Sequence, residues 1–276
     1  LASAPAGKRV SGSRRDGIQG LSGWRIQRRV VGALTYRELR TRVSEARGGF
    51  LGTLLQPLSQ VSIWILIRTV ISPSRGSSLN IVLFLASGII LFGLFSEIAN
   101  RSMNAMKANE ALLFYRPVKP VDTVIARSIC ETGIHISALL LVMTGTWIYL
   151  EQIVMDDLGL FFVSLLLMAV MGFSVGLLYM TASHLIAGFA VVGTWVTRVL
   201  WLASGIFYRY WSFPAWTRPF FIWNPLMHCI ELNRSSMSQD YFTPDASLPY
   251  AFNATLIIFT AALWIYSNNE RKLMTL

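Results

Sequence analysis

Six blocks of this chain stay almost wholly apolar for roughly 17 to 24 residues, the length a helix needs to cross about 30 Å of hydrocarbon at about 1.5 Å per residue. The blocks fall at 50–71, 79–98, 129–150, 158–180, 185–208 and 250–266. Inside a bilayer each backbone N–H and C=O must be satisfied within the protein, so runs of this length read as helices. The expectation is an all-α polytopic membrane protein with six transmembrane helices and both termini on one side. Composition agrees: 14% of the residues are charged and 54% hydrophobic, whereas soluble domains carry about a quarter charged residues.

Basic residues set the orientation. Eleven Lys or Arg precede Phe50, and Arg101, Lys107, Arg116, Lys119, Arg127, Arg271 and Lys272 fall on the same side. The other side carries Arg75, Arg209, Arg218 and Arg234, and its third-to-fourth connection is acidic, with Glu151, Asp156 and Asp157. Both termini are therefore expected in the cytoplasm. The formal charge of +10 reads as this topology signal and as a contact for anionic lipid, not as a nucleic-acid groove. Cys130 and Cys229 imply no disulfide framework. Residues 1–23 are rich in Gly and Ser, lack an apolar stretch of signal-peptide length and read as a disordered tail or an expression remnant.

Three stretches outside the spans are informative. Residues 24–49 mix Val31, Leu34, Tyr36, Leu39 and Val43 with Arg28, Arg29, Arg37, Arg40, Arg42 and Arg47. This pattern suits a basic amphipathic helix lying in the membrane interface, or else a solvated cytoplasmic helix. Gly48 and Gly49 permit a sharp turn into the first span. Between spans two and three, Met103, Met106, Leu112, Leu113 and Phe114 alternate with Asn104, Lys107, Asn109 and Glu110 before Pro117 and Pro120. A short amphipathic helix over about 103–116 follows, docking on the membrane surface or on a partner. Residues 208–249 hold Trp211, Trp216, Trp223, Phe213, Phe220 and Phe221 with Pro214, Pro219 and Pro225. A re-entrant helical hairpin at about 209–238 in the outer leaflet would bury these rings, part of them serving as an aromatic belt. Asn224 before Pro225 is a good N-cap ahead of a good first helical residue.

Several chemistries are absent from the sequence. No Gly-rich loop ends in Gly-Lys-Ser or Gly-Lys-Thr, so the chain lacks a P-loop, and no HExxH occurs. Glu131 and His135, spaced i, i+4, share a helix face and read as a hydrogen-bonded pair, with a metal or proton relay as the alternative. No Ser/His/Asp set can be assembled, which leaves a membrane-embedded enzyme as a distant reading. The conspicuous charge is Arg198, near the middle of the fifth block. A central arginine costs about 2.5–3.5 kcal/mol in lipid and should face a polar path. Arg68, near the outer end of the first span, can snorkel. Together with Arg209, Arg218 and Arg234 these arginines suggest an electropositive route for an anionic solute. Tyr208, Tyr210, Trp211, Trp216 and Trp223 would add faces on which sugar rings stack, and the combination suggests an acidic glycan.

The order of these parts, together with Tyr36-Arg37-Glu38 and Arg42, Leu51-Gly52 leading to Pro57, the run from Asn109 and Glu110 through Leu113, Phe114, Tyr115 and Arg116 to Pro117 and Pro120, and Trp223-Asn224-Pro225 with His228, Glu231 and Arg234, resembles the permease subunit of ABC-2 type exporters. In particular it is similar to the capsular polysaccharide export inner-membrane proteins of Gram-negative bacteria. The resemblance runs from Leu34 to the C-terminus and implies a homodimer bound to two copies of a separate ATPase. It implies that this chain holds no cofactor, ATP and Mg²⁺ being bound by the ATPase. Met103, Met106, Asn109, Glu110, Leu113, Phe114 and Tyr115 would then form the coupling helix seated on that partner. A lipid-linked polysaccharide would pass between protomers toward a periplasmic adaptor and an outer-membrane exit protein. O-antigen, teichoic-acid and small-molecule ABC-2 permeases are the neighbouring alternatives.

Overall fold

The computed structural model describes residues 23–46, 48–71, 79–113, 118–150, 155–212, 214, 216–238, 240–241 and 243–274. The described residues form helices and turns only. In chain order the helices are α1 (Gly23–Glu45), α2 (Gly49–Ile71), α3 (Ile81–Ser102), α4 (Ala105–Leu113), α5 (Pro120–Leu150), α6 (Leu158–Leu185) and α7 (Phe189–Ala203). A 3₁₀ turn at Tyr210–Ser212 leads to α8 (Arg218–Ile222), α9 (Pro225–Ser235) and α10 (Leu248–Met274). Among the described residues five helices, α2, α3, α5, α6 and α10, are long and apolar enough to cross a membrane.

Local chemistry explains most helix starts. Asn80 accepts the Val82 N–H at 2.9 Å to open α3, and Asp157 accepts the Leu160 N–H at 2.9 Å to open α6. Pro120 opens α5 where its missing N–H costs nothing, and Asp122 accepts the Lys119 N–H at 2.9 Å. The helix of the third block therefore begins well before residue 129, extended at its N-terminal end by more than two turns. The Gly48–Gly49 joint between α1 and α2 has φ of +103° and +66°, a left-handed region that favours glycine at both positions.

The fifth block differs from expectation. Leu185 ends α6, Gly188 turns the chain at φ +81°, and α7 runs for only 15 residues before Gly205 at φ +68°. Residues 204–208 are turn and bend, so the helical part is about 22 Å long. An unbroken apolar run hides such a stop, because only the glycines mark it.

At the centre lies α3, buried from Leu83 to Ile98 by α6, α5, α2 and α9. Its approach to α6 is close: a Cβ on Gly172 would sit 3.2 Å from the Phe95 Cα, and one on Gly176 2.8 Å from the Ser102 Oγ. Two small residues one turn apart let the backbones meet, the usual packing device between helices in lipid. α10 closes the other side of α6, and α9, itself buried, wedges between α3, α6 and α10.

Candidate functional site

α1 reaches the membrane helices through charge. Its Arg42 pairs with Glu131 of α5 and lies 3.9 Å from Glu97 of α3. Arg101 of α3 lies 3.1 Å from Glu97 and 3.3 Å from Glu131, and Arg127 of α5 lies 3.3 Å from Glu38 of α1. Three arginines thus face three carboxylates in a cluster that is mostly buried, the condition under which charges are tolerated away from water. Arg127 also donates to the Arg101 carbonyl, Gln27 to Asp122, and Arg37 to Asn109 of α4. The expected Glu131–His135 contact is present in a different form: His135 Nδ1 lies 2.9 Å from the Glu131 carbonyl oxygen, while the Glu131 carboxylate serves the arginines.

This changes the reading of α1. Arg37 and Arg42, expected among lipid headgroups, turn inward, and Leu34 is buried with them. Arg28, Arg29 and Arg40 remain exposed beside Trp24, Tyr36 and Leu39; Arg47 lies outside the described residues. Behind the cluster a small cleft of about 80 Å³ is lined by Arg42, Thr53, Gln56, Gln60, Ser96, Glu97, Glu131 and His135.

α4 is oriented in an equally instructive way. Met103 and Met106 are 6% and 4% exposed, and Asn109 is 3% exposed. Met106 belongs to a buried cluster with Val124, Leu177, Met180, Tyr266 and Leu273, so at this position the apolar face expected to meet a partner is covered by this chain's own α5, α6 and α10. The side turned out carries Asn104, Lys107 and Glu110. Leu113 ends α4, and Phe114 and Tyr115 lie outside the described residues.

At the end of α2 away from the ion cluster, Arg68, Tyr208 and Arg209 meet in one open cleft of about 430 Å³ with Asn80, Phe84, Phe207 and Ser212. The Arg209 guanidinium lies 4.9 Å from the Tyr241 ring. Arg218 donates to the Trp211 carbonyl at 3.1 Å and stacks 5.1 Å from the Trp211 ring, with buried Tyr210 on its other flank at 6.0 Å. Trp211, Trp216 and Trp223 are exposed. Arg198 is exposed on the outward side of α7, 5.2 Å from the Trp195 ring and among Val196, Val199 and Leu202.

Arg234 is the correction here. Expected on the route of an anionic solute, it is instead 0% exposed, enclosed by the described residues. Its guanidinium donates to the carbonyls of Phe84 at 3.1 Å, Gly205 at 2.9 Å and Ile206 at 2.7 Å, pairs with Glu231 at 3.0 Å and covers the Phe84 ring at 3.7 Å. It is a clamp that binds α9 to α3 and to the carbonyls just past the end of α7. Glu38 and Glu231 stood in the sequence only as marks of the resemblance, without a role of their own, and Glu97 and Tyr241 were given none. Their signal is that charges this deep in an apolar chain need partners.

Among the described residues, five helices are long and apolar enough to cross a membrane, and α1 is tied to two of them through charge. The profile of the ABC-2 type transporter family matches residues 29–238, and the chain belongs to that family. It is a transport subunit, not an enzyme. Among curated proteins it is 32% identical to the polysialic acid transport protein KpsM of Escherichia coli, over 92% of this chain and 98% of that one. It is 26% identical to the capsule polysaccharide export inner-membrane protein CtrC of Neisseria meningitidis serogroup A, over 86% and 90% of the two chains. It is 27% identical to BexB of Haemophilus influenzae, which has the same description, over 88% and 92%.

Proposed function

We propose that this chain is the membrane subunit of an ATP-driven exporter that moves a lipid-linked, acidic capsular polysaccharide across the inner membrane. The observation that carries the reading is its similarity, from one end of KpsM to the other, to a transporter of an acidic glycan. In this reading α7 and the segment after it make the sixth crossing, and both termini are cytoplasmic. A separate ATPase binds ATP and Mg²⁺, two copies of it serving two copies of this chain. The exposed side of α4, with Asn104, Lys107 and Glu110, is the coupling surface in place of its apolar face. Two protomers face each other through α2 and α7, which leaves Arg198 beside the polymer, and a periplasmic adaptor and outer-membrane protein complete the route.

The test is a chromosomal deletion. Cells lacking this chain should lose surface polysaccharide and retain the lipid-linked polymer inside, and the intact gene should restore export. Unchanged capsule with loss of O-antigen, of teichoic acid or of resistance to a small molecule would assign it to a different ABC-2 branch.

A further inference from the structure

Gln60 is the middle residue of α2 and is exposed. Gln56, one turn earlier, donates to Glu97 at 3.3 Å, whereas the Gln60 amide has no hydrogen-bond partner among the described residues. Hydrocarbon satisfies neither its donors nor its carbonyl, so an amide midway along a membrane-crossing helix is costly unless something polar reaches it. Gln60 lines the cleft behind the ion cluster. That cleft adjoins a wider recess of about 270 Å³ beside the Gly48–Gly49 joint, and Arg42, Thr53 and Gln56 stand in the walls of both. The lining both donates and accepts. Ser96 and Thr53 spend their hydroxyl protons on the Gly93 and Gly49 carbonyls, at 3.2 Å and 3.3 Å, which leaves both oxygens able to accept. His135 turns Nδ1 to the Glu131 carbonyl, so its neutral ring keeps Nε2 as a further acceptor on the side of Gly93. Gln60 supplies two N–H donors and a carbonyl. The charges favour neither sign, because Arg42 and Arg101 are set against Glu97 and Glu131.

We propose that the recess and the cleft together form a subsite for one uncharged, hydroxyl-rich sugar unit, with Gln60 as its central contact. Sugar hydroxyls donate and accept at the same atom, which matches a lining of mixed character better than an anion or a cation would. The wider recess lies just below the range of drug-sized sites, about 300–1,000 Å³, and takes the ring. The narrow cleft, about 80 Å³, takes a single hydroxymethyl arm, whose oxygen meets the Gln60 amide. Trp201 gives that arm an apolar stop, its ring held by Trp64 at 5.5 Å and by Phe207 at 4.8 Å. Gly93 keeps the space open, since a Cβ there would come 3.1 Å from His135 Nε2. The subsite rests on the polysaccharide reading, in which the recess beside the α1–α2 joint opens on the side from which the polymer arrives.

The experiment separates the two. The chain in lipid nanodiscs is titrated by calorimetry with neutral oligomers of galactose and of glucose, and with a galacturonic acid oligomer of the same length. At least one neutral oligomer should bind saturably and no more weakly than the acidic one. Gln60→Leu, at an exposed position, should weaken it about two- to tenfold, the loss of one hydrogen bond, and Gly93→Ala should weaken it by narrowing the cleft. Gln60→Cys should react with a water-soluble thiol reagent, and more slowly once the neutral oligomer is added. Failure of both neutral oligomers to saturate, tighter binding of the acidic one, an unchanged affinity in Gln60→Leu or labelling at 60 that the oligomer does not slow would each overturn the subsite. The deletion test above reads the function independently, so loss of capsule with no binding of a neutral oligomer would remove the subsite and leave the function standing.

Discussion

Arg234 shows how much one side chain can hold. Its donors satisfy three carbonyls on two distant parts of the chain and neutralise Glu231, and Gly88 makes room for it: a Cβ there would lie 2.6 Å from its Nη2. Removing one member of a buried pair typically costs about 3–5 kcal/mol. Arg234→Leu should therefore lower the thermal midpoint in detergent sharply, and Glu231→Gln added to it should recover part of the loss. Nearby, His228 accepts the Ser247 N–H on Nδ1 at 3.1 Å and donates from Nε2 to the Ile222 carbonyl at 2.8 Å, an arrangement that requires the neutral ring. Burial holds its pKa below the ordinary imidazole value, against the pull of Asp245 and Glu231. Below about pH 6.5 the unfolded chain then binds the extra proton first, so stability falls as the medium is acidified. Thermal unfolding across this range should show the loss in the native chain, and His228→Asn should flatten it.

Among the elements, α4 and α1 make the same point about what sequence carries. The N-cap at Asn224 and the helix start at Pro225 were legible because capping is decided within a few residues, and the Asn224 side chain accepts the Leu226 N–H at 3.1 Å as expected. The amphipathic character of α4 was equally visible. Its direction was not, since periodicity defines a face without naming what covers it, and Met106 is covered by α5 together with α6 and α10, the last two tens of residues away. α1 turned for a related reason: Arg37 and Arg42 look like interfacial arginines until Asn109, Glu97 and Glu131 are brought beside them. The two sides of α4 should respond differently. Met106→Asp buries a charge in this chain's own core and should reduce folded yield. Lys107→Glu with Glu110→Lys should leave yield and thermal midpoint nearly unchanged while export of the polymer fails. Normal export in the charge-reversed variant would move the coupling surface elsewhere.

For the whole molecule, the exposed sides of α2 and α7 matter most. Leu55, Ile63, Leu66, Val70, Val191, Trp195, Val199 and Leu202 are all exposed, which suits lipid, but Arg198 sits among them and does not. A second copy lining a watery path accounts for both. Cysteines at 195 or 199 should crosslink between protomers in the membrane, and a cysteine at 198 should react with a water-soluble thiol reagent. Arg198→Leu should insert normally and lower export of an acidic glycan, while Arg198→Lys keeps part of it because the charge survives. Lack of labelling at 198 in the assembled transporter would place the path away from α7. The apolar blocks showed the membrane class early because length and hydropathy act locally; the inner ion cluster and the Arg234 clamp join residues up to 150 positions apart and become visible only in the fold.

The brevity of α7 bears on the lipid as well as on the protein. A helix of 15 residues covers about 22 Å, against about 30 Å of hydrocarbon. Where α7 forms the wall, the bilayer must dimple toward it or the outer aromatic segment must fill the missing depth, and either response carries an energetic cost of hydrophobic mismatch. In the proposed function, a polar headgroup carried along that wall has a shorter apolar distance to travel than along a full-length span. Lengthening α7 by a turn of leucines should restore the full thickness and slow the movement of a lipid-linked cargo without altering any contact it makes.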